Sequence, residues 1–385
     1  MKRILLLIIS INFIFNLLYG QRIVSEYTTN DERCSFRTMC TDTYSNIDYE
    51  DEKKIQKGLW LMSAFNRSGE KEDNFLRTLI LKLDNLSASM QYNLLATIAD
   101  RTNIDKECIL RKVLQEGNAK QRTLAYSILL AEGNQPVPPR VNDVDWGNIV
   151  KQIHDNVFNR ELAIGQVKEC LSFILTQYAN QSHIIVLLRA DRNIPAKVYV
   201  VNSSGIGEQL SFLGRSAYNI LPYFTNGNTP CGIFKIKEKA FSDNRFIGPV
   251  RTVQTVLPFE VLPEEWGIKA SAWNSSIYET LLPDGLKKEK LLWQAYWAGK
   301  VGRGDIIVHG STIDPLFFKD ELFFPLTPSL GCLSALELWN INDGSLLESH
   351  QRRLVESLPS ENEKLGFMYV FQVDESTYNT GLINE

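Results

Sequence analysis

Glu132–Trp146 reads EGNQPVPPRVNDVDW. Pro136, Pro138 and Pro139 lack a backbone N–H and fix φ, so a helix cannot run through them. The hydrophobic pattern differs on the two sides of this stretch, and that difference sets the fold class. Upstream, from about Asp51 to Ala131, apolar residues recur at helical spacing. Ile55, Leu59, Met62 and Phe65 share one face. Phe75, Leu76, Leu79, Ile80 and Leu83 repeat this, as do Leu94, Leu95 and Ile98, then Ile109, Leu110, Val113 and Leu114, then Leu124, Ile128 and Leu129. Gly117 and Gly133 stand where helices stop. The pattern predicts four or five short packed helices without a repeat period.

Downstream, residues 147 to 180 read as helical again, ending near Tyr178. The period then changes. HIIVLLRA and AKVYVVNS are β-branched apolar runs between turn residues, and CGIFKI, VQTVLPFEVL, DIIVHG and GFMYVFQV follow in the same manner. The expected class is α+β, a helical N-terminal domain followed by a mostly β domain. The expected boundaries are a leader over 1–20, a helical domain over 21–135 with a loose polar start, a linker with connecting helices over 136–182, and a strand-rich domain over 183–375.

The leader reading rests on Lys2 and Arg3, an apolar run from Ile4 to Leu18 and a polar exit at Tyr19-Gly20-Gln21. That order is the pattern of a secretory signal peptide, and the run is shorter than the roughly 20 residues a bilayer span needs. A retained anchor is the alternative. The protein is therefore expected to be exported, periplasmic or secreted, with no stable membrane insertion. The net charge of −4, with scattered Lys and Arg, argues against a nucleic-acid partner. The six cysteines include no Cys-x-x-Cys pair, and no His-Glu-x-x-His occurs, so a zinc site has little support. Cys34 and Cys40 are near enough in sequence to close a small loop. Arg303-Gly304-Asp305 spells an adhesion tripeptide, a string too short to carry weight.

Three stretches of the second half carry residues suited to chemistry. Thr229–Ile236 (TPCGIFKI) is a turn entering a strand. Asp305–Ser311 (DIIVHGS) is a buried strand delivering His309, with Gly310 leaving the imidazole uncrowded. Ser329–Cys332 (SLGC) sets a thiol behind a glycine. Their order and strand context resemble the L,D-transpeptidase (YkuD-like) catalytic domain of bacterial cell-wall enzymes, over roughly residues 183 to 373. That family carries Thr-Pro-x-Gly-x-Phe-x-Ile, then His-Gly at a strand end, then Ser-x-Gly-Cys. The chain departs from the common form: Ser334 stands where an arginine is usual and Leu330 where histidine is frequent. His309 and Cys332 lie 23 residues apart, with an apolar insert, PLFFKDELFFPL, between them.

A thiol is a weak nucleophile at neutral pH until a base or a positive charge activates it. His309 is the natural base for Cys332. Ser329, or a backbone carbonyl near Gly310, is expected to orient the imidazole. Gly331 is expected to leave room for substrate, and main-chain N–H groups at Gly331 and Cys332 to hold an oxyanion. A helix over SALELW is expected to favour thiolate through its positive end. His154, His183 and His350 read as structural. The resemblance implies an exported cysteine acyltransferase acting on peptidoglycan stem peptides, as an L,D-transpeptidase or L,D-carboxypeptidase, with neither a metal nor an organic cofactor. The alternative is a non-catalytic cell-wall binding or scaffold protein on a degenerate catalytic fold. A disulfide between Cys231 and Cys332 also stays open.

Overall fold

The computed structural model describes residue 29, residue 35, residues 38–40 and 42–44, and residues 47–382. The expected leader over 1–20 and Cys34 lie outside the described residues. The helical spacing upstream forms α1 (Glu52–Ala64), α2 (Glu70–Leu81), α3 (Ala88–Ala99), α4 (Glu107–Glu116) and α5 (Ala119–Ala131). Local chemistry fixes three of their starts. The Asp51 carboxylate accepts from the Lys53 and Lys54 N–H groups, and the Ser87 hydroxyl from Met90 N–H. Asn118 and Gln121 cap each other's backbone at the start of α5. Gly133, at φ +80°, ends that helix in the left-handed region. After the prolines come α6 (Val144–His154), capped by Asp143, and α7 (Ile164–Gln177).

The strand-rich half builds β1 (Ser182–Leu188), β2 (Ala196–Asn202), β3 (Gly205–Ile206), β4 (Leu210–Leu213), β5 (Gly232–Ala240), β6 (Thr252–Val256), β7 (Ile307–His309), β8 (Leu333–Ala335) and β11 (Leu365–Gln372). Their order is β1-β11-β5-β6-β7-β8-β4-β2, and β2 pairs back onto β1, so eight strands close a barrel. The hairpin strand β3 extends from β2 outside the ring. Closure removes the free edges that an open sheet would expose. Most contacts are antiparallel, but β1 runs parallel to β11 and β7 parallel to β8. Every residue of β1 and β11 is buried, which means both faces are covered. A two-stranded ribbon, β9 (Glu337–Trp339) with β10 (Leu346–Ser349), follows β8. No helix among the described residues is long and apolar enough to cross a membrane.

Two expectations are corrected here. The SALELW segment is strand, not helix. Leu333 and Ala335 are buried, and β8 fills the gap between β7 and β4, pairing Val308 with Leu333 and Phe212 with Ala335. Tertiary pairing overrides the helix propensity of Ala, Leu and Glu. Cys332 therefore has no helix N-terminus behind it. The second correction concerns the linker. The secondary structure changes at Pro136–Arg140, but the packing does not divide there. The core of α1 to α6 continues without a break into Tyr218, Ile220, Tyr223 and Phe224 of the loop between β4 and β5. The insert adds to this joint, because Phe317 packs edge-on against Phe65 and Asn66 donates to Glu321 at 3.0 Å.

Candidate active site

The three singled-out stretches meet. The parallel pairing of β7 and β8 sets Ile307 beside Cys332, and the Ile307 N–H donates to Cys332 Sγ at 3.4 Å. His309 lies two residues further along β7, so its side chain leaves on the face used by Ile307. The Thr229 hydroxyl donates to the Gly331 carbonyl at 3.0 Å, which ties the first stretch to the thiol loop. His309, Ser329 and Cys332 line one cavity of about 470 Å³. Its far wall comes from Trp60 and Ala64 of α1, so the helical half contributes directly to the space in front of the thiol.

His309 Nδ1 stands 2.7 Å from the Gly310 carbonyl. A carbonyl only accepts, so Nδ1 carries the proton and Nε2 keeps its lone pair. Among the described residues Nε2 has no partner. Of the two orienters proposed from sequence, the carbonyl is the one in contact. Ser329 is not: its hydroxyl donates to the Cys332 carbonyl at 2.7 Å and accepts from Gly331 N–H at 3.1 Å. Ser329 braces the loop. That bond also occupies the Gly331 N–H and leaves the Cys332 N–H, which has no partner among the described residues, as the donor of that pair open to an oxyanion.

Both glycines serve purposes other than those expected. Gly331 has φ +113°, and a Cβ there would stand 2.5 Å from the Gly227 carbonyl and would collide with the Arg303 guanidinium. Protein, not substrate, fills the space. A Cβ on Gly310 would collide with the Glu337 carboxyl, which also lies against Gly248. The carboxyl accepts from Ser349 Oγ at 2.8 Å, and burial raises its pKa to about 8, so it is largely protonated at neutral pH. Gly310→Ala is expected to cost about 2–4 kcal/mol of stability through this overlap. Combining it with Glu337→Ala should return part of that loss, because the pair shares one volume. Thermal melts of the two single variants and the double variant read this; strict additivity would refute the shared slot.

Sequence reading passed over Arg303. It is buried, and its guanidinium donates to the carbonyls of Pro222, Asn228 and Gly227. Burial lowers its pKa to about 10, still above neutrality. Its charge acts on Cys332 and favours thiolate, in the region where Ser334 supplies no cation. The Ser334 hydroxyl is itself buried without a partner among the described residues. The signal was the position of Arg303, six residues before His309, inside the tripeptide set aside as adhesive. A buried guanidinium cannot be presented to an adhesion partner.

Burial pushes the Cys332 thiol up and the His309 imidazole down, each against its charged form. Sγ hydrogen-bonds to the Asp305 carbonyl at 3.6 Å, not to the imidazole. The resting pair is therefore neutral thiol and neutral base, without the thiolate that a helix over SALELW was expected to favour. Cys231 and Cys332 are both free thiols. Cys231 is buried among barrel residues, 3.5 Å from an Arg192 nitrogen. The other histidines are held elsewhere: His183 accepts from Phe367 N–H, His350 accepts from Ser211 N–H, and His154 meets the Tyr126 hydroxyl. Comparisons with protein-family models, curated proteins and solved structures return no match to this chain.

Proposed function

We propose that the chain is an exported cysteine acyltransferase, periplasmic or secreted, that acts on peptidoglycan stem peptides as an L,D-transpeptidase or L,D-carboxypeptidase. The observation that carries the reading is the pairing of a cavity-facing thiol with a histidine whose Nε2 is free, delivered by adjacent parallel strands. In the first step the Cys332 S–H proton passes to His309 Nε2 as sulfur bonds to the peptide carbonyl carbon. The Cys332 N–H stabilises the oxyanion, and the buried Arg303 cation offsets developing negative charge. The C–N bond then breaks, and the leaving amine takes the proton from His309. An incoming amine or water, deprotonated by the same nitrogen, attacks the thioester and releases Cys332.

Incubating the protein with cell-wall sacculi tests this. Digestion and mass analysis should show stem peptides either cross-linked or shortened by one residue, with a thioester adduct on Cys332. Unchanged muropeptides and an unmodified Cys332 would refute it. One observation favours a second reading, a binding protein on a non-catalytic fold: the thiol hydrogen-bonds to a carbonyl and burial keeps it protonated. Sacculus binding without any product would support that reading.

A further inference from the structure

The cavity in front of Cys332 holds one charged side chain that a ligand can meet. Two of its lining residues carry formal charge, Arg303 and Asp305. Arg303 is buried and saturated by main-chain carbonyls. Asp305 is exposed, and among the described residues its carboxylate forms no ion pair. Among the lining residues the accessible charge is therefore negative.

We propose that Asp305 is a specificity residue whose carboxylate binds a primary ammonium group on the substrate, beside the carbonyl that Cys332 attacks. The proposal rests on the cysteine-acyltransferase reading and names a feature of its substrate.

The backbone fixes Asp305 beside the nucleophile. Asp305 has φ +57°, in the left-handed region. Its N–H donates to Glu260 Oε1 at 2.9 Å, and its carbonyl faces Cys332 Sγ at 3.6 Å. Asn or Gly would adopt this conformation as readily and bring no charge. The charge opposes the chemistry when the site is empty, since a carboxylate here disfavours the thiolate. A bound cation cancels that effect and leaves Arg303 to act on the sulfur. The remaining walls suit the same ligand. Trp60 and Phe246 line the cavity, and aromatic faces attract ammonium groups. Arg245 already stands over Phe246 at 5.1 Å, which makes Trp60 the aromatic partner.

Methanethiosulfonate reagents carrying an ammonium, no charge or a sulfonate test this on the full chain, with each cysteine followed by peptide mapping. Cys108 is exposed and serves as the internal reference. The ratio of ammonium to sulfonate reaction rates at Cys332 should exceed that at Cys108 by about ten-fold, and the excess should shrink as salt is raised. Asp305→Asn should bring the ratio at Cys332 close to that at Cys108. Equal ratios at the two cysteines in the parent protein, or an excess unchanged in the variant, would overturn the Asp305 proposal alone. If Cys332 ignores all three reagents while Cys108 reacts, the nucleophile reading and the Asp305 proposal fail together. The salt series on the parent protein reads the same charge without depending on the variant's folding.

Discussion

Cys332→Ala is expected to abolish turnover while leaving the melting temperature nearly unchanged. The substitution removes one sulfur from a cavity wall, not from the interior of the barrel. Activity should fall by about 10⁴-fold or more, since neither His309 nor Arg303 is a nucleophile. His309→Ala should cost about 10²–10⁴-fold, the range for losing a general base. Combining the two should add little, because a nucleophile and its base act as one unit. Cys231→Ala should keep most activity, because that thiol lies in the barrel core and touches Arg192. The pH dependence carries a sign. Burial holds the Cys332 thiol above its usual range, so its alkylation by iodoacetamide should keep rising with pH beyond the range of an ordinary thiol. A preformed thiolate–imidazolium pair would instead alkylate at a nearly constant rate across neutral pH. A flat profile would refute the neutral resting pair, and full turnover by Cys332→Ala would refute the nucleophile.

Legibility from sequence follows how local the physics is. The upstream helices were readable because their apolar residues recur at helical spacing, and Asp51, Ser87 and Asn118 add local caps to three of them. Strands β1, β2 and β11 were readable as apolar runs, since they are buried on both faces or nearly so, and β5 by its buried first half. Strand β8 was not. Three residues that become strand only by filling a gap in a ring have no period to detect. Barrel closure is invisible for the same reason, because it depends on β2 pairing with β1 and β4 at once. In the site, His309 and Cys332 were found through motif order. Arg303, Asp305 and Glu337 were missed because each acts across the fold. Glycine misled twice: Gly331 was read as space for substrate and Gly310 as room for the imidazole, and both are space for other protein atoms.

A chain beginning at Val141 is expected to fail as a folded domain, although the prolines before it look like a clean boundary. Such a chain loses α1 to α5 and keeps the residues that pack against them. Tyr218, Ile220, Tyr223 and Phe224 would lose the cover of α1 to α5, with that of α6 kept at Tyr223 and Phe224, and Phe246, Ile313 and Phe317 would lose part of theirs. Exposing large apolar side chains costs about 1.5–3 kcal/mol each. Several together equal the whole stability of a typical domain, about 5–15 kcal/mol. Polar ties are cut as well. The Tyr92 hydroxyl donates to the Thr225 carbonyl at 2.6 Å, and Arg215 pairs with Asp100 at 2.6 Å, leaving a mostly buried guanidinium without its carboxylate. The loop so exposed runs to Asn228, whose carbonyl accepts from Arg303, and Arg303 lies behind Gly331 and Cys332. Loss of the helices therefore reaches the thiol through two routes, the missing Trp60 wall and the loosened support of the cysteine loop. The truncated chain should be insoluble or should bind a hydrophobic dye while retaining strand signal by circular dichroism. A soluble, cooperatively melting β domain from Val141 onward would show that the barrel needs no helical partner, and the shared core would then be a docking surface between two independent domains.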